Sequence, residues 1–234
     1  MKSHMIELSR ILELMYTAGQ RSRSIRANLY EWWDEALHRE IVADKHISAR
    51  VLPQIPPEEG PLDVLKIVEK HTRLWAVLPD RLRWESELLL DGGEVIVDRG
   101  VRDGSAWWRT GPDGRIDSHT DHQRRWFVSA GFEHLLHPSR LLPALELTPR
   151  KFVQWSGRDA VELAATHRYD YLPDAVLDEL GWPADGYEMT LDLERGVLLQ
   201  TTARYGEQIL KRHEVVEIAF DEPMPDELFA SLQP

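Results

Sequence analysis

The segment from Arg73 to Gly114 has the clearest alternation of hydrophobic and polar positions in the chain. It contains four runs, RLWAV, RLRWESELLL, GEVIVDRG and SAWWRT, separated by short breaks that contain glycine or proline. In the second run the apolar positions are Leu82, Trp84, Leu88 and Leu90, and the polar positions are Arg83, Glu85 and Glu87. A period of two is typical of strands with one buried and one solvated face. Glycine or proline at each break suits a chain reversal, so the pattern predicts an antiparallel meander.

The same reasoning predicts further strands and a few short helices elsewhere in the chain. The predicted elements are a helix over 5–20, a strand over 24–33, a helix over 35–49, a strand over 64–72, two short helices broken at Pro138, a hairpin over 151–166, a helix over 173–180, a meander over 187–220 and a short C-terminal helix. For residues 35–49 a continued strand is the alternative. The Pro-rich segment 50–63 predicts a surface loop.

The first predicted helix is amphipathic. Its expected apolar stripe comprises Ile6, Leu8, Ile11, Leu12, Met15 and Tyr16. A membrane-surface anchor would have a similar stripe but also a basic face, which this segment lacks. The pattern therefore favours packing of this helix on the sheet.

Two motifs in the meander resemble a known family. Their residues are Leu74, Trp75, Pro79, Asp80 and Trp84 in the first motif, then Asp103, Gly104, Trp108 and Pro112 in the second. This spacing resembles the LolA/LolB/RseB-like superfamily, which includes a periplasmic lipoprotein carrier and a sigma-factor regulator. The order of elements and a final P-x-P-x-x-x-F, formed by Pro223, Pro225 and Phe229, are similar as well.

The resemblance implies a mainly β (α+β) fold, in which a strongly curved antiparallel half-barrel sheet wraps around short plug helices. It implies one such domain over residues 5–234. The expected plug residues are Leu135, Leu136, Leu141, Leu142 and Leu145.

The resemblance also implies non-enzymatic, carrier-like binding of an apolar small molecule such as a lipid or acyl chain. Candidate wall residues, chosen by strand parity and by analogy with the family, are Trp75, Trp84, Leu88, Trp108, Trp155, Met189 and Leu191. Two alternatives stay open. One is an RseB-like regulatory or sensor module that acts on a protein partner. The other is a cofactor-free biosynthetic enzyme resembling VioE, for which the first suspects are Arg83, Glu85, His167 and Tyr187.

One position departs from the family pattern. The resemblance implies that the loop 50–63 is a candidate lid, with a plain surface loop as the alternative. The lipoprotein carrier has an arginine immediately before the strand-ending proline, where it latches the lid. This chain has Leu78 before Pro79. Leucine cannot make the polar contacts of that latch, so any lid here is held differently, and we expect Leu78→Arg to reduce stability.

Composition narrows the possible partners. The chain has 42% hydrophobic and 29% charged residues, nine tryptophans, a net charge of −12 and a pI near 5.3. Such a charge disfavours binding to nucleic acid or to anionic bilayers. No apolar run is long enough to span a membrane, and the absence of cysteine excludes disulfides and thiolate chemistry.

The chemistry-bearing motifs are few. The sequence contains no P-loop, no GxGxxG, no HExxH and no GxSxG, so we predict no cofactor. His119 and His122, with Asp117 and Asp121, could suggest a metal site, but further ligands at supporting spacing do not follow. We expect a polar loop there and no metal.

The N-terminus bears on localisation. Met1–His4 resemble residues left by a cloning vector. If Met5 is the native start, we expect a cytoplasmic protein, because no apolar signal core follows it. If a signal was removed, we expect a periplasmic or other extracytoplasmic protein.

Overall fold

A computed structural model describes residues 7–44, 67–89, 93–110, 115–120, 132–168, 180–181 and 183–230. These residues form one antiparallel sheet of eleven strands, curved and unclosed, with three α-helices. The predicted half-barrel fold class is confirmed.

The elements follow the order that the pattern predicts. The α-helices are α1 (Leu8–Thr17), α2 (Glu35–Asp44) and α3 (Glu133–Leu136), and the 3-10 helices are Ala18–Gln20, Pro138–Leu141 and Asp226–Phe229. The strands are β1 (Ser24–Asp34), β2 (Ile67–Val77), β3 (Arg81–Leu89), β4 (Val95–Asp103), β5 (Ala106–Thr110), β6 (Ile116–Thr120), β7 (Leu145–Trp155), β8 (Arg158–His167), β9 (Gly186–Asp192), β10 (Leu198–Tyr205) and β11 (Gln208–Phe220).

Two meanders meet at the centre of the sheet. The strand order is β6-β5-β4-β3-β2-β1-β11-β10-β9-β8-β7. Every neighbouring pair consists of strands that are consecutive in the chain, except β1 and β11, which join its two ends. Consecutive pairing therefore builds each half of the sheet, and one long-range pairing unites the halves.

The core lies on one face of the sheet, which we call the concave face; the opposite face is the convex face. Helix α1 contributes Ile11, Leu14 and Met15 to the core, and α3 contributes Leu135 and Leu136. Leu141, on the 3-10 helix after α3, and Leu145, at the start of β7, are also fully buried. The prediction that a helical middle plugs the open side of the sheet is confirmed.

The predicted stripe of α1 is partly wrong. Leu8, Leu12 and Tyr16 are exposed, and the buried face runs through Ile11, Leu14, Met15 and Ala18. The turn at Gly196 packs closely on this helix, because a Cβ on Gly196 would lie 2.2 Å from the carbonyl oxygen of Leu14. The periodicity predicts the helix but does not determine which flank faces the core.

The region around His119 also differs from its prediction. Residues 116–120 form β6, an edge strand paired with β5, rather than a polar loop. A strand at an edge tolerates a polar sequence, since much of it faces water. Asp121 and His122, the proposed loop 50–63 and the predicted helix 173–180 lie outside the described residues, apart from Leu180, which is buried.

Candidate functional site

A row of cross-strand neighbours crosses the concave face from β8 to β4. Antiparallel partners point to the same face, so the register defines the members of this row. They are Leu163, Met189, Thr201, His213, Glu31, Lys70, Leu88 and Ile96. Apolar residues form both ends of the row, and polar residues form its middle. We call this middle, together with the adjacent Lys211, the polar centre (Glu31, Lys70, Lys211, Thr201 and His213).

Hydrogen bonds connect three members of the polar centre. His213 Nε2 lies 3.1 Å from Glu31 Oε1, and His213 Nδ1 lies 3.1 Å from Thr201 Oγ1. Burial lowers the pKa of His213 to about 3, against the opposing effect of Glu31, so the imidazole is neutral at pH 7. Nε2–H therefore donates to the carboxylate, and Nδ1 accepts the threonine hydroxyl proton.

Two lysines surround the carboxylate of Glu31. Lys211 Nζ lies 2.9 Å from Oε1, and Lys70 Nζ lies 3.5 Å from Oε2. Burial alone would raise the pKa of Glu31, but Lys211, His213 and Lys70 together hold it well below the usual value. Glu31 is therefore a buried anion that is stabilised by cations and by hydrogen bonds.

Helix α3 covers the polar centre. The ring of His134 packs edge-on against His213, with 4.7 Å between centroids, and is fully buried. His137 follows at the end of this helix, and burial lowers its pKa, with Arg102 and Arg140 acting in the same direction. The plug therefore contacts the sheet through an imidazole ring as well as through leucines.

The arrangement of a hydroxyl, an imidazole and a carboxylate is one that can activate a nucleophile. Thr201 is only 1% exposed, so its hydroxyl is out of reach of a substrate in this conformation. Within the described residues no group of three or more His, Cys, Asp or Glu side chains is arranged to hold a metal ion.

Four of the predicted wall residues lie on the concave face. Trp84, Met189 and Leu191 are fully buried there, and Leu88 is half-buried. The indole of Trp84 lies over Gly100, where a Cβ would come within 1.9 Å of the ring. Its Nε1–H donates to Asp98 Oδ2 at 3.2 Å. These residues pack against their neighbours in this conformation.

Two of the other predicted wall residues lie on the convex face, and this corrects their parity assignment. Trp75 pairs with Arg83, and Trp108 pairs with Val101, so both indoles belong to that face. Trp155, at the tip of the β7–β8 hairpin, is half-buried and packs against the core. The family pattern gives the spacing of the tryptophans along the chain but not which of them points to the concave face.

The four suspects for catalysis form two separate pairs. Tyr187 Oη lies 3.3 Å from His167 Nε2, beside the concave face, and His167 Nε2 also lies 2.9 Å from the carbonyl oxygen of Ala184. Arg83 Nη2 donates to Glu85 Oε1 at 2.6 Å on the convex face. Since the two pairs lie on opposite faces, the structure does not bring them together in one site.

Two surface depressions occur in the described part of the chain. One of about 540 Å³ is lined by polar residues of β7 to β10 such as Lys151 and Glu162, together with the apolar Leu163 and Met189. Another of about 430 Å³ is lined by residues 20–23 and Asp221. Charged side chains line both depressions, which does not suit a purely apolar ligand.

The fold defines the class of this protein. It has the LolA/LolB/RseB-like fold that its motifs resemble, a curved, unclosed antiparallel sheet around short helices. No helix in the described part of the chain is long and apolar enough to cross a membrane.

Solved structures show this fold at low sequence identity. A chain of the Pseudomonas aeruginosa MucA/MucB complex is 18% identical, with a TM-score of 0.51, and the match covers 95% of this chain and 60% of that chain. An uncharacterized conserved protein from Thermus thermophilus is 10% identical, with a TM-score of 0.50, covering 97% of this chain and 96% of that chain. No protein-family model and no curated protein matches the chain. The likeness is therefore one of fold, and this chain spans about 60% of the length of the MucB chains it matches.

Proposed function

We propose that this protein binds an apolar ligand, a lipid or acyl chain, between the concave face and the helices that cover it, in a carrier-like role without catalysis. One observation carries the proposal. The concave face is lined by apolar side chains and is covered by short helices rather than by a second sheet.

The segment formed by α3 and the following 3-10 helix can move away without breaking hydrogen bonds between strands. The backbone hydrogen bonds of α3 and the following 3-10 helix run within that segment, from His137 N to Glu133 O and from Arg140 N to His137 O. Contact with the sheet is made by side chains such as Leu135 and Leu141. An acyl chain that replaces these leucines gains about 0.8 kcal/mol per buried CH₂ group, which offsets the apolar contacts that are lost.

The polar centre limits the kind of ligand. It lies halfway along the row that Met189 and Leu88 flank, so a ligand on this face contacts both apolar walls and charged groups. An amphiphile with one polar group is therefore a better match than a pure hydrocarbon, because the buried lysines and Glu31 keep polar partners.

Binding of a fluorescent fatty acid, cis-parinaric acid, tests the proposal in two matched variants. Leu88 points to the concave face and its neighbour Leu89 to the convex face. We expect Leu88→Gln to weaken binding about tenfold, since it removes apolar surface at the ligand, and Leu89→Gln to leave it unchanged. Equal affinities for both variants, or no binding by the parent protein, would contradict the proposal.

Regulation through a protein partner is a second candidate. It is favoured by a specific observation: a peptide segment, the chain's own 3-10 helix Asp226–Phe229, packs on the convex face against β3 and β4. This surface is separate from the concave face, so the two functions do not exclude each other.

A further inference from the structure

The convex face carries a cross-strand row that pairs arginine with aromatic and aliphatic residues. The row consists of Trp75, Arg83, Val101 and Trp108 on β2 to β5. Arg81 lies two residues before Arg83, on the same face of β3. Val101 is fully buried, and the C-terminal 3-10 helix packs over this part of the sheet.

Polar contacts fix this helix at two positions. Arg81 Nη1 lies 2.8 Å from Asp226 Oδ1, and Arg83 Nη1 donates to the carbonyl oxygen of Leu228 at 3.1 Å. Arg81 therefore binds a carboxylate, and Arg83 binds the main chain.

An aromatic anchor adds the apolar part of the contact. Phe229 is 2% exposed, and the guanidinium of Arg81 lies over its ring at 4.4 Å. Arg81 therefore contacts both the carboxylate and the ring, three residues apart in the segment. A buried aromatic ring surrounded by weaker polar contacts is the usual composition of a peptide-binding hot spot.

We propose that the convex surface around Arg81, Arg83 and Val101 is a peptide-binding site, which the chain's own segment 226–229 occupies in this structure. Its occupant in trans is a protein segment with a carboxylate followed, three residues later, by an aromatic residue. The proposal does not depend on ligand binding at the concave face.

Two observations and the tether of the segment support this choice of partner. All the contacts that define the site come from four consecutive residues, so a short peptide can reproduce them. The guanidinium of Arg81 binds the carboxylate of Asp226, which suits an acidic peptide. The tethered segment is a competitor at an effective concentration of the order of millimolar, so it blocks weak partners and yields to strong ones.

The test uses the full-length chain with its own segment disabled by Asp226→Asn and Phe229→Ala. Fluorescence anisotropy follows a labelled peptide of residues 222–230, EPMPDELFA, as this variant is added. We expect saturable binding, and binding at least about tenfold weaker to the parent protein, where the tethered segment competes. Adding Arg81→Gln to the variant, or replacing phenylalanine by alanine in the peptide, should abolish binding.

A folded double variant that does not bind the peptide, or binds it equally well with Arg81→Gln, would overturn the proposal. If the double variant does not fold, two single variants of the intact chain replace it. The Asp226 side chain is 87% exposed, so Asp226→Asn cannot disturb the core, and Glu227→Gln is its matched control. We expect Asp226→Asn alone to speed hydrogen exchange at the amides of Leu228 and Ala230, by about threefold. Equal exchange in the two variants would also overturn it.

Discussion

The two faces of the sheet carry the same kinds of residue but use them differently. On the concave face Trp84 is enclosed, and Glu31 is a buried anion between Lys70 and Lys211. On the convex face Trp75 is only half-buried, and Glu85 pairs with Arg73, whose side chain is largely exposed. A tryptophan or an ion pair is therefore shielded from water on the concave face and partly exposed to it on the convex face.

This difference follows from which face the helices cover. Burial excludes water, so removal of one partner on the concave face leaves a void or an unpaired charge. On the convex face water or a neighbouring side chain compensates for the loss. Matched substitutions on the two faces therefore test whether the concave face is shielded from water and the convex face is not.

The largest expected effect is at Trp84. Trp84→Ala should lower the free energy of unfolding by about 3–5 kcal/mol, because it empties a large volume in a packed core. Trp75→Ala should cost about 1 kcal/mol, since the ring is partly in water. Urea denaturation of both variants measures the difference, and equal losses would contradict the assignment of faces.

The buried ion pairs should show the next largest effect. Glu31→Gln leaves Lys70 and Lys211 near a neutral amide and should cost about 3 kcal/mol. Glu85→Gln on the convex face should cost at most about 1 kcal/mol. The same denaturation experiment compares them, and a small loss for Glu31→Gln would mean that water reaches the polar centre.

Substitutions at Gly100 and Trp84 should have coupled effects on the free energy of unfolding. Gly100→Ala should cost about 2 kcal/mol, because the new Cβ overlaps the indole of Trp84. In the Trp84→Ala background the same substitution should cost less than about 1 kcal/mol. Additive effects in this double-mutant cycle would show that the indole does not lie over Gly100.

Mild acid should destabilise the concave face. The folded-state pKa of His213, about 3, is below its ordinary value of 6.5, so the unfolded state binds the proton more readily. Stability is then complete above about pH 6.5 and decreases as the pH falls towards 3, by roughly 1–2 kcal/mol between pH 7 and 5. His137, whose pKa burial also lowers, adds in the same direction.

Thermal or urea unfolding at pH 5, 6 and 7 measures this dependence. His213→Gln should reduce the slope, and His71→Gln, at an exposed position of the convex face, should leave it unchanged. A parent protein with the same stability at all three values would contradict a buried neutral His213.

Most of the fold could be predicted from the sequence because strands and turns are local signals. The alternation of Leu82, Trp84 and their neighbours defines β3, and the breaks at Asp103-Gly104 and Ser156-Gly157 define two hairpins. The direction of Trp75 could not be predicted in this way, because Leu74 and Ala76 on one face of the strand and Trp75 and Val77 on the other are all apolar. In the structure Leu74 and Ala76 are fully buried, which leaves Trp75 on the convex face.

The polar centre was missed because its members are far apart in the chain. His213 and Glu31 are 182 residues apart, and no local motif connects them. A signal was nevertheless present. Leu29, Glu31 and Trp33 are alternate residues of β1, so all three point to the concave face. Lys70 lies two residues before Thr72 on β2, so both of these point to the concave face as well. A charged residue at an inward position on two neighbouring strands indicates a buried pair.

Quenching of tryptophan fluorescence by a brominated fatty acid tests the central claim most directly, because bromine quenches only an indole that it approaches closely. We compare the parent protein with Trp84→Phe and Trp75→Phe, which remove one indole from the concave and one from the convex face. Ligand binding at the concave face predicts that quenching decreases in Trp84→Phe and is retained in Trp75→Phe. Quenching that is retained in Trp84→Phe and lost in Trp75→Phe would place the ligand on the convex face and contradict the account.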